Sequence, residues 1–240
     1  MPPAVEVESL VKHYRRSRRG LNGIDLTVNQ GEVFALLGPN GAGKTTFVKC
    51  LLGLLQPTAG SISLFGDPAG NPAARRGVGF VPETPRFPDF LSPREVLRLH
   101  GRLIGLEGGD LNRMIDERLE AVDLADAPNR VRAFSKGMIR RLAVAQALLG
   151  NPRLVVLDEP TADLDPIGRR SVRNQIAAVK ERGATVILNS HLLSEVERLC
   201  DHVAIVHKGR LLADGGIDEL VPEGQDLESV FVDLVERAGN

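Results

Sequence analysis

The sequence predicts an α/β protein: a parallel β-core, half-exposed antiparallel strands near its start, and a helical segment inserted midway. Three observations carry that prediction. Two early segments alternate apolar and polar residues, three later segments are continuously apolar, and residues 89–150 keep their apolar side chains at helical spacing.

The elements follow in chain order. Val5–Leu10 opens by alternating Val, Glu, Val, Glu, and Leu21–Val28 carries Leu21, Ile24, Leu26 and Val28 as its apolar set. Such alternation belongs to strands with one wet face, the antiparallel kind. Val33–Leu37, Leu154–Leu157 and Thr185–Leu188 are apolar throughout, as strands of a parallel sheet covered on both faces must be. Helices separate them. After Gly43, Val48, Leu51, Leu52 and Leu55 keep helical spacing. The helix opening at Pro166 has Asp165 as N-cap, Val172, Ile176 and Val179 on one face, and Gly183 as its stop. Pro93–Leu103, Leu111–Val122 and Lys136–Leu149 supply the helical insertion, with no clear strand among them. From Asp226 the tail is an amphipathic helix with Leu227, Val230, Phe231, Leu234 and Val235 on one face. The expected organisation is a core over 1–88 and 151–225, a helical subdomain over 89–150, and a C-terminal helix over 226–240.

Composition narrows the function. The 240 residues can bury a full core, and a formal net charge of −1 provides no global basic field for nucleic acid. Aromatics make up 4% with no Trp, so base-stacking platforms are scarce. Cys50 and Cys200 show no metal-ligand spacing and read as buried reduced thiols. Residues 1–20 hold no signal-peptide core, and no run approaches the roughly 18 apolar residues of a membrane span. If this chain serves a membrane, a different chain is expected to span it.

The chemistry sits in three motifs. Gly38, Pro39, Asn40, Gly41, Ala42, Gly43, Lys44 and Thr45 match the G-x4-G-K-[ST] phosphate loop, placed between a buried strand and a helix as that motif requires. Its glycines allow successive N–H groups to converge on phosphate oxygens at a helix N-terminus. Lys44 is expected to reach the β- and γ-phosphates, Thr45 to ligate Mg²⁺, and Thr46 to belong to the same nucleotide site. Leu154-Val-Val-Leu-Asp158 is an apolar strand ending in a carboxylate, followed by Glu159. Asp158 is placed to hold Mg²⁺ and Glu159 to polarise the attacking water. Alone this pattern is weak, since many strands end in Asp; in register with a phosphate loop it is strong. Phe134-Ser-Lys-Gly-Met138 opens a helix. There Ser135 and Gly137 offer a hydroxyl and a bare N–H as a second anion site, or Ser135 serves simply as an N-cap.

In order and spacing these motifs, with Leu164-Asp-Pro166 and a late His, resemble the ATP-binding subunit of ABC transporters over essentially the whole chain. Val78-Gly-Phe-Val-Pro-Glu83, Ser135–Met138 and Leu227-Glu-Ser-Val-Phe231 are most similar to stand-alone ATPases of drug, lipid, polysaccharide and ion exporters. The resemblance implies a P-loop NTPase core with an antiparallel β subdomain and the helical insertion. It also implies a Mg²⁺-dependent ATPase, cytoplasmic and peripheral on the membrane through a transmembrane permease subunit. Two cassettes, as a homodimer or with a second ATP-binding subunit, would sandwich ATP so that Ser135–Met138 of one caps the γ-phosphate held by the other. Tyr14, the only tyrosine, then matches the aromatic that stacks on adenine, though a lone Tyr serves packing as readily. His191 matches the histidine that contacts the γ-phosphate, and Asp165 the aspartate linking the two sites. Glu83 stands where the family usually has Gln near Mg²⁺ or water; a carboxylate can still ligate a hard cation. Lys136 and Met138 replace the commoner Gly and Gln, and Asp163 occupies a position usually small.

Two segments stay open. Arg15, Arg16, Arg18 and Arg19 form a basic run expected in a loop after Tyr14, either solvated or drawn to phosphates or acidic lipids. The C-terminal helix either caps the fold or contacts a second copy. A soluble ABC ATPase acting on ribosomes or DNA is the alternative function. One motif set, no long coiled coil between the motifs and a neutral charge weigh against it. DxxG occurs twice, but no Asn-Lys-x-Asp guanine reader accompanies it, so ATP is favoured over GTP.

Overall fold

Alternation in the first strand is broken once, and the break shows how the first sheet forms. The computed structural model describes residues 1–14 and 17–239. β1 (Val5–Tyr14) pairs antiparallel with β2 (Ser17–Val28), and Val5, Val7 and then Leu10 point inward. The phase slips because Ser9 adopts φ 44° at a bulge, where its N–H is held by Asp25 Oδ1 at 2.7 Å. On its other side β1 pairs with an antiparallel strand over Ala59–Leu64, which turns back onto Asp67–Pro68. Arg18 and Arg19, expected in a loop, lie in β2; Arg15 and Arg16 fall outside the described residues.

The chain folds as two compact units, Met1–Arg76 with Ile187–Asn240, and Gly77–Val186. The first contains the antiparallel sheet and β3 (Val33–Leu37), fully buried as its apolar run requires. β3 runs parallel to a strand over His202–His207, with Phe34 opposite His202 and Leu37 opposite Ile205. That strand forms a hairpin with Arg210–Gly216. The hairpin is absent from the sequence expectations, although the run Val203–Val206 and Gly209 at φ 77° carry its signal. Asp201 anchors the start of β3 by accepting from the Val33 N–H at 2.9 Å. α1 (Lys44–Leu51) follows β3, burying Phe47, Val48, Cys50 and Leu51. Short helices at Leu193–Leu199 and Ile217–Leu220 and the C-terminal helix Leu227–Gly239 complete the unit. In that last helix Leu227 alone is fully buried.

The second unit pairs Val78–Val81 parallel with Leu154–Asp158, Val81 opposite Leu157. Between these strands lie α2 (Pro93–Leu103), α3 (Gly108–Ala121), a 3-10 turn at Val131–Ala133 and α4 (Lys136–Ala147). The three expected helices are present and no strand lies between them; α3 starts three residues earlier than expected and α4 ends two residues sooner. Ser92 closes a capping box on α2 with Glu95. α5 (Pro166–Glu181) begins where its Asp165–Pro166 pair predicts and stops ahead of Gly183, at φ 77°. The strand Thr185–Asn189, buried at every position, carries the chain from the second unit into the first.

Candidate nucleotide site

In the first unit the loop 38–43 leaves β3 and turns directly into α1. Its two outer glycines are needed for different reasons. A Cβ on Gly38 would collide with the carbonyl oxygen of Val206. Gly43 is the N-cap of α1 at φ 119°, a backbone that side-chain-bearing residues rarely adopt. Between them the Ala42 N–H bonds the Pro39 carbonyl at 3.0 Å, and the Ala42 carbonyl accepts from Gly209 at 2.8 Å. The turn after His207 thus braces the loop. The opening amides of a helix have no partner within it, and here they sit behind a loop that already curls. Lys44, half-buried, folds its ammonium back onto the carbonyl of Gly38 and, at 3.4 Å, that of Pro39. Thr45 is exposed. Thr46 meets Tyr14 through their hydroxyls at 3.3 Å, which ties the lone tyrosine to the loop's end. Tyr14 is 40% exposed, with the Lys12 ammonium 5.9 Å from its ring centre. A ring this open suits stacking better than core packing. His191 lies in the same unit, exposed, two residues past the strand Thr185–Asn189.

The second unit holds the other candidates. Asp158 ends its strand at 4% exposure. Glu159 follows at φ 53°, left-handed and uncommon for a residue with a side chain; such backbone costs on the order of 1–3 kcal/mol and clusters where geometry is used. Glu83 is exposed, with its carbonyl accepting from Arg140 at 2.8 Å. Ser135 caps α4, its hydroxyl accepting from Met138 at 3.2 Å. Both sequence readings of Ser135 therefore stay compatible, since the cap leaves it exposed. Ser135, Lys136, Gly137, Arg141, Asp163 and Asp165 line one cavity of about 280 Å³. Asp165 is also the cap of α5, with Oδ1 2.7 Å from the Gly168 N–H. Asp163, the residue out of keeping with the resemblance, sits on that cavity at φ 61°.

Geometry thus gathers Tyr14 and Gly38–Thr46 in one unit, and Ser135, Gly137 and Asp165 around one cavity in the other. The match to the family model described as ABC transporter runs over residues 21–162 and so takes in the loop, the α4 cap and Asp158–Glu159. The chain belongs to the ABC transporter family. The bacitracin transport ATP-binding protein BcrA of Bacillus licheniformis is 41% identical over 224 residues, 92% of this chain and 72% of its own length. A Nod factor export ATP-binding protein I of Cupriavidus pinatubonensis is 41% identical over 219 residues, 89% of this chain and 67% of its own. A solved ATP-binding subunit of an ABC transporter superposes with TM-score 0.89 at 32% identity, covering 96% of this chain and 99% of the other.

As an ABC ATP-binding protein, the chain binds ATP, and ATP hydrolysis comes with the family. The P-loop α/β fold expected from the motifs is likewise that of its structural neighbour. Tyr14, Asp165 and His191 lie outside the matched residues 21–162, so their roles rest on position and surroundings. The sequence reading missed Arg140. The signal was available: Gly137, Arg140, Val144 and Ala147 follow one another on one helical face, and a charge at the centre of an otherwise apolar face needs a buried partner.

Proposed function

We propose that this chain is the motor subunit of an exporter: it hydrolyses Mg²⁺-ATP and powers a separate transmembrane permease. The observation that carries the reading is the pairing of an ATP-binding fold with relatives named for transport or export. BcrA is a transport ATP-binding protein, and the Nod factor relatives are export ATP-binding proteins. Among the described residues no helix is long and apolar enough to cross a membrane, in keeping with a spanning partner on another chain.

The proposed chemistry divides among the chain's own groups. Lys44 and the amides of Gly38–Thr46 hold the β- and γ-phosphates, and Tyr14 faces adenine. Glu159 orients and polarises water, and His191 steadies the γ-phosphate. Ser135 and Gly137 act on the nucleotide of a second cassette, with Asp165 between the two sites; residues 89–150 act as the subdomain that presents them. The donors fit Mg²⁺. Among the described residues no three His, Cys, Asp or Glu side chains gather as a metal cage. Mg²⁺ is usually held by one or two protein oxygens plus substrate phosphates. By the family resemblance Thr45, Asp158 and Glu83 are the groups that would hold it, and when bound it would neutralise charge on the phosphate oxygens. Most of the catalysis is then positioning and electrostatic stabilisation.

The test uses purified wild-type chain and Glu159→Gln. Light scattering with ATP and Mg²⁺ should show dimers of Glu159→Gln and none without nucleotide, while wild type turns over ATP. Hydrolysis by Glu159→Gln at the wild-type rate would remove Glu159 from its role. ATP binding without dimers would remove the head-to-tail pair of identical cassettes.

A further inference from the structure

We propose that Arg140 is a positioning residue for hydrolysis, binding the backbone of Glu83 and of Glu159 to the helix that carries Ser135 and Gly137. This deepens the motor reading and rests on Glu159 as the group that polarises water.

Arg140 is 7% exposed on α4. Its Nη1 donates to the Glu159 carbonyl at 2.7 Å and its Nη2 to the Glu83 carbonyl at 2.8 Å. The two bonds leave from different nitrogens of one planar fork, so the two carbonyls are held at a fixed separation and angle. A guanidinium fixes both directions in one plane from two separate nitrogens; an ammonium also has several N–H donors, but all on one nitrogen that rotates freely, so it can reach two nearby carbonyls without setting their separation or angle. Both acceptors are main-chain oxygens. Arg140 therefore holds the backbone of Glu83 and Glu159 rather than their side chains.

Glu159 explains why such a clamp is needed. Its left-handed backbone persists only where the surroundings determine it. Its carbonyl accepts from Ala162 at 3.3 Å and from Arg140 at the shorter 2.7 Å. Rotating that peptide back to a common conformation would break the Arg140 bond and swing the side chain off its bearing. The same arginine ties that bearing to α4, whose first turn holds Ser135 and Gly137 on the 280 Å³ cavity. A shift of α4 is transmitted to the backbone of Glu83 and Glu159 as a unit, 57 and 19 residues away in sequence.

The experiment compares Arg140→Met, Arg140→Gln and Arg140→Lys in the full chain, each also combined with Glu159→Gln. Equilibrium ATP binding, steady-state kcat and KM, and thermal stability are measured on all. Removing the fork should lower kcat by about 10- to 100-fold, the scale of a reacting group misplaced by about an ångström, with KM and ATP affinity within about twofold. Arg140→Lys should fall with the others despite its retained charge. On Glu159→Gln the arginine substitution should lower the residual rate no further, because it acts through Glu159. A kcat unchanged in Arg140→Gln or Arg140→Lys, or a loss that multiplies fully with Glu159→Gln, overturns the proposal. If Arg140→Met does not fold, the Gln and Lys variants decide. Full activity in Glu159→Gln alone would instead overturn the reading underneath, and is distinguishable because it does not involve Arg140.

Discussion

Asp165 has two assignments, and a pair of substitutions separates them. It caps α5 through Oδ1 on the Gly168 N–H at 2.7 Å, and it is the proposed link between two nucleotide sites. Asp165→Asn keeps an oxygen for the cap and loses the charge. Asp165→Ala loses both. A lost cap costs about 1 kcal/mol, and the loss of a negative charge beside the helix N-terminus about 0.3–1 kcal/mol, the lower end applying because Asp165 is exposed. Asp165→Asn should thus cost about 0.3 kcal/mol and Asp165→Ala about 1.3 kcal/mol. For a chain of this length each kcal/mol shifts Tm by about 2–4 °C, so Ala should melt about 3–5 °C lower and Asn about 1 °C lower. Scanning calorimetry without nucleotide is the assay, since ATP would add its own stabilisation. If the two compact units melt separately, the shift belongs to the transition of Gly77–Val186, which contains α5. Equal melting of the two variants would refute the cap as the source of stability. ATPase activity then reads the second assignment: a turnover lost in Asp165→Asn, whose fold is nearly intact, belongs to the link and not to the helix.

Four further outcomes are expected. Ser92→Ala should destabilise by about 1 kcal/mol in urea unfolding, because it removes the cap from α2 and half of the box with Glu95. The Glu95 carboxyl is held below its usual range first by the Ser92 N–H, then by the Ser92 hydroxyl, with Arg130 adding to both. A depressed folded value stabilises above the unfolded range and is lost as pH falls through the folded one, so Glu95→Gln should flatten the acid end of a stability–pH curve. Burial pushes the His100 pKa below its ordinary 6.5. The unfolded chain then takes the proton first, so stability should decline as pH drops below 6.5 and level off once the folded His is charged; His100→Phe should remove that slope in unfolding titrations. Gly38→Ala should weaken ATP binding by about tenfold or more in equilibrium titration, since its Cβ meets the Val206 carbonyl and must displace the loop or the neighbouring strand.

What the sequence discloses depends on whether an interaction leaves a mark in residue type. The buried strands Val33–Leu37 and Thr185–Asn189 are legible because burial on both faces favours apolar residues, which fill Val33–Leu37 and Val186–Leu188, and Asp165–Pro166 is legible because caps have chemical preferences. The phosphate loop is legible for the same reason: Gly38 and Gly43 are demanded by backbone geometry that other residues meet with strain or collision. Other features leave weaker marks. The slip at Ser9 is set by a bulge and by Asp25 sixteen residues on, which a period-two pattern does not encode. The extension of β2 back to Ser17, which pairs with Tyr14 of β1, carries no apolar alternation over residues 17–20 that would announce a strand.

Arg140 marks the boundary most sharply. Glu159 is found in the sequence because it follows the carboxylate that ends a buried strand, and Glu83 because the resemblance places it where the family usually has Gln. The group that holds both is joined to their carbonyls, and every residue has a carbonyl. No pattern of residue types at 57 and 19 positions' distance could name those two acceptors; only the fold does. The sequence could still have posed the question, since a cation on the buried face of α4 must be bonded to something. In this protein the groups proposed to touch nucleotide are thus visible as motifs, while the group proposed to set their angles is visible only as a charge out of place. Substitutions chosen by motif would probe phosphate contact alone. Substitutions chosen by buried, bonded charge probe whether hydrolysis depends on holding α4, Glu83 and Glu159 as one piece.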